Sequence, residues 1–220
     1  MTLRLYTYWR SSAAYRVRIV LNLKGLPYES VPKHLLRDGG EQRKADYLAL
    51  NPQGLVPALA DGDLVIPQSL AICEYLEEVH PTPVLLPGSA AERAIVRGMA
   101  LAIACDTHPL NNLPITGYLR KELGADDAAV QRWIEHWIHR GFTGLERWVA
   151  SIANGPTDGR LHCFGSQVTL ADACLVPQMY NARRFKVDVS EYPNLVAISR
   201  HLESLPAFAA ARPEMQPDAE

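Results

Sequence analysis

The chain has 220 residues, 48% of them hydrophobic and 21% charged, with a formal net charge of −2. That length suits one large domain or two compact ones, and so slight a charge argues against nucleic acid or an anionic membrane as the main partner. No apolar run approaches the roughly 20 residues needed to span a bilayer.

The N-terminal MTLRLYTYWR has neither the apolar core nor the small-residue cleavage site of a signal peptide. The four cysteines, Cys73, Cys105, Cys163 and Cys174, form no CxxC pair and no metal spacing, so no metal site is expected. They read as buried thiols of a cytoplasmic protein.

In chain order the sequence predicts a strand over 3–8, a helix over 13–24, a strand over 28–31, a polar stretch, strands over 56–60 and 64–66, and a helix over 69–79. That is a βαβ unit followed by a hairpin and a helix, with Asp61-Gly62 at the hairpin turn. HPTPVLLPGS then carries prolines and a glycine that neither helix nor strand absorbs. Beyond it the pattern is helical, over 90–123, 126–152, 169–185 and 194–205. The expected organisation is an α/β domain over residues 1–80, a linker over 81–89 and an all-α domain over 90–220.

The junction at Arg10-Ser11-Ser12 carries chemistry as well as punctuation. Ala14, Val17, Val20, Leu21 and Leu23 keep helical spacing, Gly25 is a C-terminal cap, and Pro27 enforces the stop. One serine before this run is an N-cap. Two hydroxyls beside an arginine exceed what a cap needs. A helix N-terminus favours a bound anion, and a thiolate is such an anion, its pKa lowered by donors and the dipole. No cysteine lies in this stretch, so any thiol must arrive on a ligand. Gln68-Ser69 opens a second helix in the same way and would suit a carboxylate, although an N-cap alone also accounts for it. In NPQGLVPAL, a cis Val56–Pro57 bond would turn the Val56 backbone outward to pair with an extended peptide.

At these residues the chain resembles a known family. YWRSSAAYRVRIVLNLKGLPYE, LALNPQGLVPAL, IPQSLAICEYLEEVHPTPVLLP, DTHPLNNL, TLADACLVPQMYNARRFKVDV and the QPD ending are similar to the zeta-class glutathione transferases, over essentially the whole chain and in order. The resemblance implies a thioredoxin-like domain that holds glutathione, a helical domain that completes the substrate pocket, and a homodimer. By motif position, Ser11 faces the glutathione sulfur with Ser12 beside it, Val56 pairs with the cysteinyl unit, and Gln68 and Ser69 hold the γ-glutamyl end. His108 stands where relatives place a residue near glutathione; a polar residue ending a helix before Pro109 is the alternative. The class often has a cysteine where Ala13 stands, so no protein thiol is expected to take part.

The implied reaction is cis–trans isomerisation of a maleyl keto acid, a small dicarboxylate. Reversible thiolate addition turns the C=C bond into a single bond, rotation follows, and expulsion of the thiolate leaves the trans isomer. The enolate needs donors where charge develops, and two carboxylates need anchors, which arginine's planar fork suits. Arg10 and Arg184 are the candidates, pairing with structural carboxylates being the alternative for each, and Arg183 reads as a surface charge. The resemblance favours maleylacetoacetate, converted to fumarylacetoacetate as in tyrosine breakdown. Relatives specialised for maleylpyruvate tend to carry an arginine where Leu113 stands. A general conjugating transferase or peroxidase, or a non-catalytic protein on the same fold, remains the alternative. TLAD, 169–172, is a capping box that starts a helix, and Trp133, Trp137 and Trp148 read as packing residues.

Overall fold

The computed structural model describes residues 2–152 and 161–220. The chain divides into two units, one of Met1–Leu85 together with Ser204–Glu220 and one of Leu86–Glu203.

The first unit is built on β1 (Leu3–Thr7), α1 (Ser12–Leu23), β2 (Tyr28–Pro32), a short α2 (Ala45–Leu50), β3 (Ala58–Asp61), β4 (Leu64–Pro67) and α3 (Ser69–Val79). The strands lie in the order β2-β1-β3-β4. β1 runs parallel to β2, with Leu3 opposite Tyr28, and antiparallel to β3, with Leu5 opposite Leu59. This is the expected βαβ unit, hairpin and helix of a thioredoxin-like domain. Two boundaries move. The third strand starts at Ala58, two residues later than its β-branched run suggests, and Asp61 still pairs with Leu64, so Gly62 and Asp63 form the loop. Gly62 has φ +60, a conformation that favours glycine.

Helix α1 is buried on nearly every side, from Ala14 through Leu21. Its C-terminus closes as expected on Gly25, φ +64, whose N–H donates to Asn22 O while Leu26 N donates to Leu21 O. Just before that cap Lys24 turns inward. Its Nζ donates to Glu77 Oε2 at 2.7 Å, His80 O at 2.6 Å and Pro83 O at 3.0 Å. The ends of α1 and α3 are thereby tied to the proline-rich segment that follows.

The last residues depart from the expected division at 90–220. Helix α9 (Pro206–Ala211) packs on α1, and the tail beyond it belongs to the first unit. α1 packs on α9 as well as on α3, in keeping with its burial on nearly every side. Arg18, fully buried, spans the contact: its Nε donates to Ala211 O, Nη1 to Thr7 Oγ1 and Nη2 to Trp9 O.

The second unit comprises α4 (Ala90–Leu101), α5 (Leu113–Lys121), α6 (Asp127–Ile152), α7 (Leu170–Arg184) and α8 (Pro193–Glu203). Val130, Ile134, Ile138, Phe142, Leu145 and Val149 line one buried face of α6. Trp133 and Trp137 pack against each other and Trp133 Nε1 donates to Leu110 O, while the Trp148 ring lies against Gly98. The helix expected over 90–123 is instead interrupted. A π-turn occupies Ala102–Thr107 and a 3-10 turn His108–Asn111 before α5 begins. Pro109 explains the break, because it has no N–H to continue the ladder. Gly141 on α6 lets this irregular segment approach: a Cβ there would collide with Thr107 Oγ1.

The TLAD capping box is formed. Asp172 accepts from Thr169 N at 2.7 Å, Thr169 Oγ1 at 2.8 Å and Cys163 N at 2.7 Å. Burial pushes its carboxyl up from the ordinary value, against the pull of those donors. Asp172→Ala strands two backbone N–H groups and should cost roughly 2 kcal/mol of stability. Urea unfolding checks this, and a loss below about 0.5 kcal/mol would be no more than an ordinary surface change gives. Cysteine usage needs one correction. Cys73, Cys163 and Cys174 are buried, but Cys105 is exposed on the π-turn. No helix of the described residues is long and apolar enough to cross a membrane.

Candidate active site

In the first unit, β1 runs directly into the serine junction. Ser11 N donates to Tyr8 O at 2.9 Å, closing a turn, and Ser11 then takes extended backbone, φ −67 and ψ 115. Its Oγ accepts from Ala14 N at 3.1 Å. Ser11 is therefore the N-cap, and Ser12 is the buried first residue of α1. Capping occupies a lone pair of Ser11 Oγ and leaves its O–H free to donate. Ser11 can cap the helix and stabilise an anion at the same time.

The junction is held from several sides. Trp9 N donates to Asp218 Oδ2 at 2.9 Å, and Arg18 holds Trp9 O from below. Arg10 is fixed by its aromatic neighbours: Nη2 donates to the Tyr8 hydroxyl at 3.1 Å, and the guanidinium carbon lies 4.9 Å from the Trp9 ring centroid. Arg10 forms no ion pair among the described residues, so nothing here supports pairing with a structural carboxylate.

The second helix start is arranged differently from a simple cap. Ser69 is the first residue of α3, and the cap position belongs to Gln68, whose side chain makes no capping bond. Gln68 is exposed, has φ +70, and its Nε2 donates to Gln53 Oε1 at 2.8 Å. A non-glycine residue in that region costs of order 1–3 kcal/mol and recurs at ligand clamps. Ser69 is 7% exposed, and its Oγ accepts from Arg16 Nη1 at 3.1 Å. The Val56–Pro57 bond is cis, and Val56 lies outside the β3 ladder.

In the second unit His108 is buried where the π-turn becomes the 3-10 turn, its N–H donating to Ile103 O. Arg184 ends α7 on an exposed surface. Its guanidinium carbon lies 4.1 Å from the Phe185 ring centroid and its Nη2 donates to Asn181 Oδ1 at 3.0 Å. Asn181 Nδ2 donates in turn to Asn111 Oδ1 at 2.6 Å, and Asn111 Nδ2 to Thr107 O at 3.1 Å. Arg184 is thus oriented by a chain of amides running back to the π-turn. Arg183 pairs with Glu203 at 2.6 Å on the surface, in keeping with its reading as a surface charge.

Within the first unit, then, the described structure brings Arg10, Ser11 and Ser12 to one helix start and Gln68 and Ser69 to another. These donor sets fit a thiol-bearing γ-glutamyl peptide: hydroxyl and amide donors for a thiolate at α1, and a hydroxyl over a buried guanidinium for a carboxylate at α3. Sequence reasoning missed Arg16, Arg18, Asp218 and the Asn111–Asn181 pair. The one available signal was that Arg16 and Arg18 alternate with Val17 and Ile19 inside the otherwise mostly apolar run of residues 13–21.

Residues 10–79 match the model of the glutathione S-transferase N-terminal domain. Over the whole chain, identity is 53% to a probable maleylacetoacetate isomerase of Vibrio cholerae serotype O1, covering 100% of this chain and 99% of that one. Among solved structures, the holo form of maleylpyruvate isomerase, a bacterial glutathione S-transferase of the zeta class, superposes with a TM-score of 0.92 at 47% identity. That match covers 99% of this chain and 100% of the other. A maleylacetoacetate isomerase of Anaeromyxobacter dehalogenans 2CP-1, solved with glutathione in its active site, gives 0.86 at 41% identity, covering 100% and 98%. The chain belongs to the glutathione S-transferases, in their zeta class.

Proposed function

We infer that this protein is a glutathione-dependent cis–trans isomerase that converts maleylacetoacetate to fumarylacetoacetate. The observation that carries the reading is the Ser11 N-cap, whose oxygen is satisfied by Ala14 N while its hydrogen remains available beside the first-turn amides of α1. Likeness over 100% of this chain to a probable maleylacetoacetate isomerase supports it.

Bound glutathione supplies the thiolate whose reversible addition to the alkene frees rotation about that bond. The protein's own residues do the rest. Ser11 donates to the sulfur and, with the helix dipole, holds it ionised near neutral pH. Ser12 and the first-turn N–H groups add to the same field. Val56 offers its backbone to the cysteinyl unit, Gln68 and Ser69 hold the γ-glutamyl end, and His108 is a further candidate for the cofactor. Arg10 and Arg184 supply cations for the carboxylates and for the charge that develops on the keto oxygen. Ala13 offers no thiol at the serine junction, so the nucleophile there is supplied by glutathione.

Ser69→Ala should raise the glutathione KM by about tenfold, the loss of one bond to a charged group, and leave kcat at saturating glutathione nearly unchanged. That split is the mark of uniform binding. A large fall in saturated kcat at unchanged KM would remove Ser69 from the cofactor site.

The choice of maleylacetoacetate over maleylpyruvate rests on Leu113, an exposed apolar residue at the start of α5 where a third cation would shorten the clamp. One methylene separates the two acids, so discrimination of about 1–3 kcal/mol is the most a fitted pocket gives. Ultraviolet loss of the maleyl absorbance, followed with each acid and glutathione, decides it: both react, with the larger kcat/KM for maleylacetoacetate. A strong preference for maleylpyruvate overturns the choice, and no turnover of either overturns the isomerase. We place the enzyme in the cytoplasm as a homodimer acting in tyrosine breakdown, and sedimentation tests the dimer.

A further inference from the structure

Arg16 is the least satisfied charged group in the described structure. It is 2% exposed, its Nη1 donates to Ser69 Oγ at 3.1 Å, and its Nε and Nη2 have no partner. Among the described residues no carboxylate pairs with it. Arg18, two residues on, is just as buried, but it spends its donors on four oxygen atoms of the fold. The contrast is chemical. Arg18 is a structural strut, whereas Arg16 carries a permanent charge that the protein leaves uncompensated. Buried charges are paired or they are costly, so a counter-ion is called for.

We propose that Arg16 is the positioning charge for an anion bound at the start of α3, and that the anion is the γ-glutamyl α-carboxylate of glutathione. The inference rests on the reading of Ser69 given above and extends it to a residue that does not itself touch the ligand. Two effects act together. Because Ser69 Oγ accepts from the guanidinium, its own hydrogen must point elsewhere, so the hydroxyl is fixed as a donor and polarised by the charge behind it. The same charge adds to the positive end of α3, whose first-turn N–H groups face the same ligand. A carboxylate is favoured there and an ammonium is repelled. The γ-glutamyl end carries both groups, so its orientation is set.

The test compares binding of two thiols by titration calorimetry: glutathione, and γ-aminobutyryl-cysteinylglycine, which lacks only the α-carboxylate. Wild type should bind glutathione far more tightly than the analogue. Arg16→Met should weaken glutathione by about tenfold, no more than loss of the Ser69 hydroxyl that it polarises, and leave the analogue's affinity within about twofold. The melting temperature of the free variant should stay level or rise, since an uncompensated charge has been removed. Equal weakening of both thiols overturns the inference. So does failure of both Arg16→Met and Arg16→Gln to fold, because a charge held for a ligand is not needed by the empty protein. If wild type binds the two thiols equally, the Ser69 carboxylate site itself is wrong. If wild type discriminates and Arg16→Met discriminates as well, only the role of Arg16 falls.

Discussion

Ser11→Ala is expected to lower kcat at neutral pH by about 10²–10³-fold, the effect of removing one donor from a developing or bound anion. On the proposed reading the hydroxyl donates to the ionised sulfur, so its loss would raise the pKa of the bound thiol and shrink the thiolate fraction at pH 7. The deficit should therefore narrow as pH rises, and thiolate absorbance of the bound cofactor should titrate at higher pH than in wild type. The cap is a separate matter. Ser11 Oγ also satisfies Ala14 N, and losing that bond costs about 1 kcal/mol of stability when alanine replaces it but only a few tenths with glycine. Ser11→Gly should thus restore most of the melting temperature and none of the turnover. Ser12→Ala should be the milder of the two serine changes. Equal and small effects from both would hand the thiolate to the first-turn amides.

Arg184→Met is expected to cut kcat/KM for maleylacetoacetate and maleylpyruvate alike by about 100-fold, the loss of two charge-assisted bonds at roughly 1.5 kcal/mol each. Conjugation of an uncharged haloarene, which presents no carboxylate, should change little. Arg184→Lys should recover only part of the loss, since a point charge cannot reproduce the planar fork. If Arg184→Met leaves isomerisation intact, the arginine belongs to the surface beside Arg183. If it depresses haloarene conjugation equally, it supports the second unit's structure and not the substrate.

The limits of sequence reading follow from where each signal lies. The helix starting at Ser12 could be bounded because its cap, its periodic apolar residues and its terminal Gly25 lie within fifteen positions, all governed by local geometry. The Thr169–Asp172 box was legible for the same reason. Ser11 and Ser12 could be divided into cap and first helical residue only by their backbone conformation. Ser69 was the harder case. Its pattern allowed an N-cap, and only the fold showed its hydroxyl engaged by Arg16, 53 positions earlier in the chain. Arg16 and Arg18 are identical in type and two residues apart, yet their partners differ completely, because each partner comes from a distant segment. The π-turn over Ala102–Thr107 was equally hidden, since its apolar content continues the pattern of α4 while Gly141 and Pro109 set its geometry.

The packing of α9 and the tail on the first unit bears on how the protein is made. Asp218 meets Trp9, and Ala211 meets Arg18, across 209 and 193 positions of sequence. A nascent chain emerging from the ribosome presents β1 to α3 early, but Arg18 Nε then has no carbonyl and the Trp9 amide no carboxylate. Closing so long a loop is slow relative to local helix formation. The first unit therefore waits on residues 206–218 for these contacts, and Asp218 can hold the serine junction only once it has been translated. A chain stalled or clipped before α9 should hold its sheet and its second unit while leaving the Trp9–Ser11 turn loose, so that residues 206–218 act as a check on the assembly of the serine junction.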